Sequence, residues 1–113
     1  MDSKQLSWSD FEKVDIRVGT VMEVLDFPEA HKPAYKLYID FGAPIGVLKT
    51  SAQITKLYAK ESLIGQQLVA VVNFPEKQIA NFKSQCLVLG AVNKDEVILL
   101  QPMSKVHNGL KIS

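Results

Sequence analysis

The chain has 113 residues, 47% hydrophobic and 22% charged, with a formal net charge of +1. That supplies enough apolar material for one globular domain with a real core. The lone cysteine, Cys86, excludes an internal disulfide framework and a multi-cysteine metal site. No apolar run approaches the ~20 residues of a membrane-spanning helix.

The start, Met1-Asp2-Ser3-Lys4-Gln5-Leu6, is polar and has no apolar h-region. No secretory signal is read there, and a cytoplasmic location is expected. Ser9-Asp10-Phe11-Glu12 has the spacing of a capping box, with Ser9 as cap and Glu12 reaching back, so a short helix is expected. From Asp15 to Leu25, Ile16, Val18, Met22 and Val24 alternate with Arg17, Gly19 and Glu23, the period of a strand. Gly19 inside that strand suggests a bulge or a sharp bend.

A loop follows from Asp26 to Pro33. Tyr35, Leu37, Ile39 and Phe41 then share one face of a second strand, with Lys36, Tyr38 and Asp40 on the other. Gly42-Ala43-Pro44 turns the chain into a third strand over Ile45–Ser51. Between Gln53 and Gly65 the alternation stops. Ile54, Leu57 and Tyr58 stand at helical spacing, which predicts a short helix and a loop ending at Gly65. Gln67–Asn73 is a strongly apolar strand that Pro75 ends. Leu87–Leu89 and Glu96–Gln101 read as two more, joined across Asn93-Lys94-Asp95 and stopped by Pro102. Many short strands with little helix point to an all-β fold, and a closed barrel buries them without exposed edges. With no internal repeat and no linker, residues 1–113 read as a single domain.

The near-neutral total conceals an uneven distribution. Residues 1–40 carry five basic and eight acidic side chains, whereas residues 41–94 carry six lysines against Glu61 and Glu76. The middle of the chain can therefore build a positive patch or a solvated lysine face. Arg17 is the only arginine, so contacts to nucleic acid would lean on lysine.

Catalytic patterns are absent. His31 and His107 stand far apart with no patterned carboxylate or cysteine beside them, and no phosphate loop or nucleophile elbow is present. Cys86 adjoins an apolar strand and reads as a buried thiol. The segment from Asn73 to Ser84 is different. It reads as a loop carrying Phe74, Phe82, Lys77, Lys83 and several amides. Such aromatics stack bases while lysines hold phosphates, or they grip an extended apolar peptide, or they plug the core.

Several segments resemble a known family. Asp15-Ile16-Arg17-Val18-Gly19-Thr20-Val21 resembles the D-I-R-V-G-x-I opening of the tRNA-binding domain at the C-terminus of bacterial methionyl-tRNA synthetases. Lys36-Leu37-Tyr38, Leu63-Ile64-Gly65, Asn73-Phe74-Pro75 through Ser84, and Leu87-Val88-Leu89 resemble its later motifs. Phe27-Pro28-Glu29-Ala30, Ser51-Ala52-Gln53-Ile54-Thr55, Val71-Val72-Asn73-Phe74-Pro75 and Leu99-Leu100-Gln101-Pro102 are more similar still to the CsaA subfamily of secretion-related chaperones. Three positions depart from the pattern: Asn81 stands for a glycine, Glu76 stands where basic residues are common, and the family's methionine falls near Cys86.

The resemblance implies an oligonucleotide-binding (OB) fold, a five-stranded barrel with its core over about residues 13–102, and no enzyme activity, cofactor or metal. It also implies terminal extensions that form a homodimer. The partners implied are tRNA or other structured RNA and unfolded export-substrate polypeptides, with no membrane insertion. For RNA the residues implied are Lys36, Lys49, Ser51, Asn73, Lys77, Lys83 and Ser84. For peptide they are Phe74, Phe82 and Leu87. The apolar ends Leu6, Trp8, Phe11, Val106, Leu110 and Ile112 are the expected dimer contacts. An alternative implied by the same resemblance is an RNA-binding protein with no chaperone role.

Overall fold

The computed structural model describes residues 4–113; Met1, Asp2 and Ser3, half of the polar start, lie outside the described residues. Helix α1 spans Trp8–Glu12, and its cap differs from the expectation. Ser7, not Ser9, is the N-cap, with its hydroxyl accepting the Asp10 amide at 3.0 Å. The helix thus begins two residues earlier, because Ser7 has the extended backbone a cap requires.

Five strands form the barrel: β1 (Ile16–Asp26), β2 (Tyr35–Asp40), β3 (Val47–Ala52), β4 (Gln67–Val71) and, after a hairpin of β5 (Lys77–Ile79) and β6 (Phe82–Ser84), β7 (Leu87–Val88). They are ordered β3-β2-β1-β4-β7 with every pairing antiparallel. The fold is an all-β OB-like barrel, as expected. Helix α2 (Lys60–Leu63) connects β3 to β4 and drops Leu63 into the core. It is shorter and later than the spacing of Ile54, Leu57 and Tyr58 suggests. Ile54 is buried and Tyr58 half-buried because the barrel holds them, not because they share a helix.

The inward residues of β2 follow the alternation: Tyr35, Leu37, Ile39 and Phe41 are all buried. Gly19 does not bulge. The irregularity lies between Val21 and Glu23, at Met22. Gly19 is required instead by close packing, since a Cβ there would stand 2.6 Å from Ile39 and 2.8 Å from Phe41.

Two elements that read as loop or barrel strand become hairpins. The β5–β6 hairpin occupies the segment after Pro75, and Ala80 at its tip has a positive φ of 51°. Glu96–Leu99 (β9) pairs with β8 (Gly90–Asn93) in a separate hairpin rather than entering the barrel wall. The C-terminal strand β10 (Lys111–Ile112) returns to pair with β1. It is locked by Arg17 Nη1 donating to the Gly109 carbonyl and by Gln67, whose side chain both accepts from the Val106 amide and donates to its carbonyl.

Candidate functional site

The barrel wall closes between β3 and the segment Ser84–Cys86, where side chains complete a backbone ladder. The Gln85 amide donates to the Lys49 carbonyl at 2.8 Å, and Gln85 Oε1 accepts the Lys49 amide at 3.1 Å. One position on, the Thr50 hydroxyl donates to the Cys86 carbonyl at 2.7 Å; next, the Ser51 amide donates to Ser84 Oγ at 2.9 Å. Gln85 carries no local signal in the sequence, since after Lys83-Ser84 it reads as one more polar loop residue. This closure anchors the β5–β6 hairpin over the outer faces of β2 and β3.

Beneath the hairpin lies a small second core of Phe27, Ala34 and Phe82. The Phe27 and Phe82 rings meet at 5.4 Å with their planes tilted by 60°, a favoured aromatic geometry. Phe82 is only 5% exposed. Two lysines cover it: Lys36 Nζ lies 4.9 Å from the Phe27 centroid and 5.3 Å from that of Phe82, and Lys49 Nζ lies 5.0 Å from the latter. The register explains their convergence. Lys36 opposes Ser51 and Lys49 opposes Tyr38, so the two lysines are diagonal neighbours on one outward face.

Beside this platform is a cleft of about 910 Å³ between the β5–β6 and β8–β9 hairpins. Ile54, Ile79, Val88, Val97 and Leu99 make much of its wall. Phe74 and Leu87 also line it, 55% and 48% exposed. Lys32, Lys77, Ser51 and Ser84 add polar and positive groups. Cys86 faces the cleft from below, and burial pushes its thiol up to about 12.

The residues singled out in the sequence separate into distinct places. Lys77, Ser51, Ser84, Phe74 and Leu87 meet at the cleft, whereas Phe82 is not part of its lining. Lys83 projects from the opposite face of its hairpin, across from Gln78. Asn73 is committed elsewhere: its Oδ1 accepts the Asp15 amide and its Nδ2 donates to the Lys13 carbonyl. Lys56 and Lys60 are held by Asp95 and Asp26, which raise their pKa values through direct hydrogen bonds. Lys36, Lys49, Lys77 and Lys83 make no ion pair among the described residues.

Of the apolar ends, Phe11, Val106 and Ile112 pack on this chain's own cluster of Ile16, Val18, Val69 and Val71. Leu6, Trp8 and Leu110 remain exposed. Among the described residues, no group of three His, Cys, Asp or Glu side chains gathers as a metal site, and no helix is long and apolar enough to cross a membrane.

Residues 16–111 match the family model described as "Putative tRNA binding domain". The methionine–tRNA ligase of Pyrococcus furiosus is 35% identical over 107 residues, covering 95% of this chain and 14% of the ligase. That of Porphyromonas gingivalis is 32% identical over 111 residues, covering 97% of this chain and 16% of the ligase. The chain therefore spans only about a seventh of these relatives. The crystal structure of the chaperone CsaA from Bacillus anthracis superposes with a TM-score of 0.92 at 53% identity, covering 96% of this chain and 99% of that one. That of the CsaA chaperone from Picrophilus torridus gives 0.91 at 55%, covering 96% and 100%.

Proposed function

The chain belongs to the tRNA-binding domain family and, within it, groups with the CsaA proteins; from that premise we propose that it is a non-enzymatic binding protein that takes tRNA or other structured RNA on its lysine face. The observation that carries this reading is the set Lys36, Lys49 and Lys77, without ion-pair partners among the described residues: Lys36 and Lys49 on the outer face of β2 and β3, and Lys77 at the cleft beside them, while Lys83, also unpaired, points to the other side of its hairpin. Unpaired ammonium groups on a rigid sheet attract a polyanion without first breaking an internal ion pair. Its site of action is then the cytoplasm. Titration of labelled tRNA at two salt concentrations tests it. Three phosphate contacts give a slope of log K against log salt of roughly −2.5. No binding at low salt removes RNA as the ligand.

A second reading rests on the cleft. Its apolar wall and the exposed Phe74 and Leu87 suit an extended segment of non-native polypeptide, the client of a protein-export chaperone. An unfolded apolar peptide is then bound with little dependence on salt, and a peptide that fails to bind at any salt sinks this reading. The whole chain acts as one domain in either case. Leu6, Trp8 and Leu110 are the exposed apolar residues available to a second copy in a homodimer. Sedimentation that shows only monomer at micromolar concentration excludes that pairing.

A further inference from the structure

Phe82 is an aromatic in the segment expected to touch ligand, yet it is 5% exposed, packed with Phe27 and Ala34 and flanked by two ammonium groups. Buried this far, its ring is not available to stack a base or grip a peptide. We infer that Phe82 is a positioning residue: its ring, backed by Phe27, holds Lys36 and Lys49 together as a two-point site for the phosphate oxygens of a polynucleotide backbone. The inference rests on the RNA reading above and specifies where on the lysine face the backbone is gripped.

The physical argument has three parts. Lysine side chains on an open sheet sample many rotamers, and each loses that freedom when it binds a phosphate. Here the negative face of an aromatic ring attracts each ammonium group and restricts where it sits. Lys36 lies near both rings and Lys49 near Phe82 alone, so one ring fixes the relation between the two cations.

Two cations held within 5.3 Å of one ring centre also repel each other. An anion close to both relieves that repulsion, which strengthens its binding relative to two separate lysines. The cations have no carboxylate partner among the described residues to compete with that anion. The bases remain unread at this point, so the site contributes affinity and not sequence preference.

The test compares wild type with Phe82→Leu, which keeps an apolar side chain but removes the ring. In the free protein, the Lys36 and Lys49 side-chain protons next to the ammonium show upfield ring-current shifts by NMR; Phe82→Leu abolishes that of Lys49 and reduces that of Lys36, which Phe27 still shifts. The same substitution lowers tRNA affinity about five-fold and flattens the salt slope by roughly one unit. Phe82→Tyr restores both. A Lys36→Met/Lys49→Met double variant loses both contacts, about 1.6 units of slope, and adding Phe82→Leu to it costs nothing further.

If wild type lacks the ring-current shifts, or if folded Phe82→Leu binds tRNA with unchanged affinity and slope, the inference is overturned. If wild type binds no tRNA, the RNA reading fails separately. The site is then decided by titrating inorganic phosphate: joint movement of the Lys36 and Lys49 signals supports it and their indifference overturns it. Should Phe82→Leu not fold, Phe27→Leu makes the same comparison, with the Lys36 shift reduced and that of Lys49 retained.

Discussion

Asn73 and Asp15 are 58 positions apart in the chain, yet Asn73 Oδ1 accepts the Asp15 backbone amide at 3.0 Å. The same side chain donates through Nδ2 to the Lys13 carbonyl at 2.7 Å, and the neighbouring Val72 amide donates to the Asp15 carbonyl. The amide therefore staples the entry of β1 to the exit of β4. Asn73→Ala is expected to lower unfolding free energy by about 1 kcal/mol, since backbone groups at a partly exposed site lose two partners. Urea denaturation measures the loss. RNA affinity of the folded fraction is expected to stay unchanged, and a large fall would return Asn73 to the RNA contacts.

Gly109 and Gly46 both have a positive φ, 88° and 80°, but their surroundings differ. A Cβ at Gly46 meets nothing within 4 Å, whereas one at Gly109 collides with the Phe41 carbonyl. Gly46→Ala is expected to cost about 1 kcal/mol, the backbone penalty alone. Gly109→Ala costs more, because the backbone at 109 must also move away from the Phe41 carbonyl. Thermal melting reads this as a drop of about 5 °C for the first and roughly twice that for the second. Equal drops contradict the steric argument.

Cys86 is buried and its thiol is raised to about 12 by loss of hydration, against an unperturbed 9.0. At pH 8 only about one thiol in ten thousand is then ionised. Alkylation of the native protein at that pH is expected to proceed no faster than the chain unfolds. The raised value also sets a direction: the contribution of the neutral thiol to stability is intact below pH 9 and is lost as pH rises toward 12. Rapid native-state alkylation at pH 8 would falsify the assignment of Cys86 as an inert thiol.

Phe74 is 55% exposed at the cleft mouth and belongs to none of the buried clusters. Phe74→Ala is expected to leave stability within about 0.5 kcal/mol of wild type, as for a surface substitution. Affinity for an unfolded apolar peptide is expected to fall about ten-fold, consistent with loss of a buried aromatic anchor. Fluorescence anisotropy with a labelled peptide tests this, and unchanged affinity removes Phe74 from the cleft's binding surface.

Lys77→Ala is expected to act on RNA and not on peptide. Lys77 lines the cleft but brings charge to it rather than apolar area. Loss of one phosphate contact flattens the tRNA salt slope by about 0.8. A slope that stays the same places Lys77 outside the RNA contacts.

Much of the barrel was legible in local pattern. The alternation of Tyr35, Leu37, Ile39 and Phe41 identified the core face of β2, and all four are buried. The motif around Arg17 and Gly19 was informative for a second reason. Arg17 reaches the Gly109 carbonyl, and Gly19 lets Ile39 and Phe41 pack against the β1 backbone. The elements that misled were short ones. Glu96–Leu99 has the composition of a core strand, yet it forms a hairpin beside the barrel. Residues 77–84 are too polar to signal strands, and their pairing depends on the closure made by Ser84 and Gln85.

The sequence by itself determined the all-β class, the inward face of the long strands and the family, because these depend on period-2 patterning and on motifs contiguous in the chain. Only the tertiary structure decided that Phe74 is exposed while Phe82 is buried, and that Lys36 and Lys49 share one ring. Those facts depend on which face of a hairpin with three-residue strands lands on which strand of the barrel. Such a choice is made by packing between residues tens of positions apart, and no local pattern encodes it.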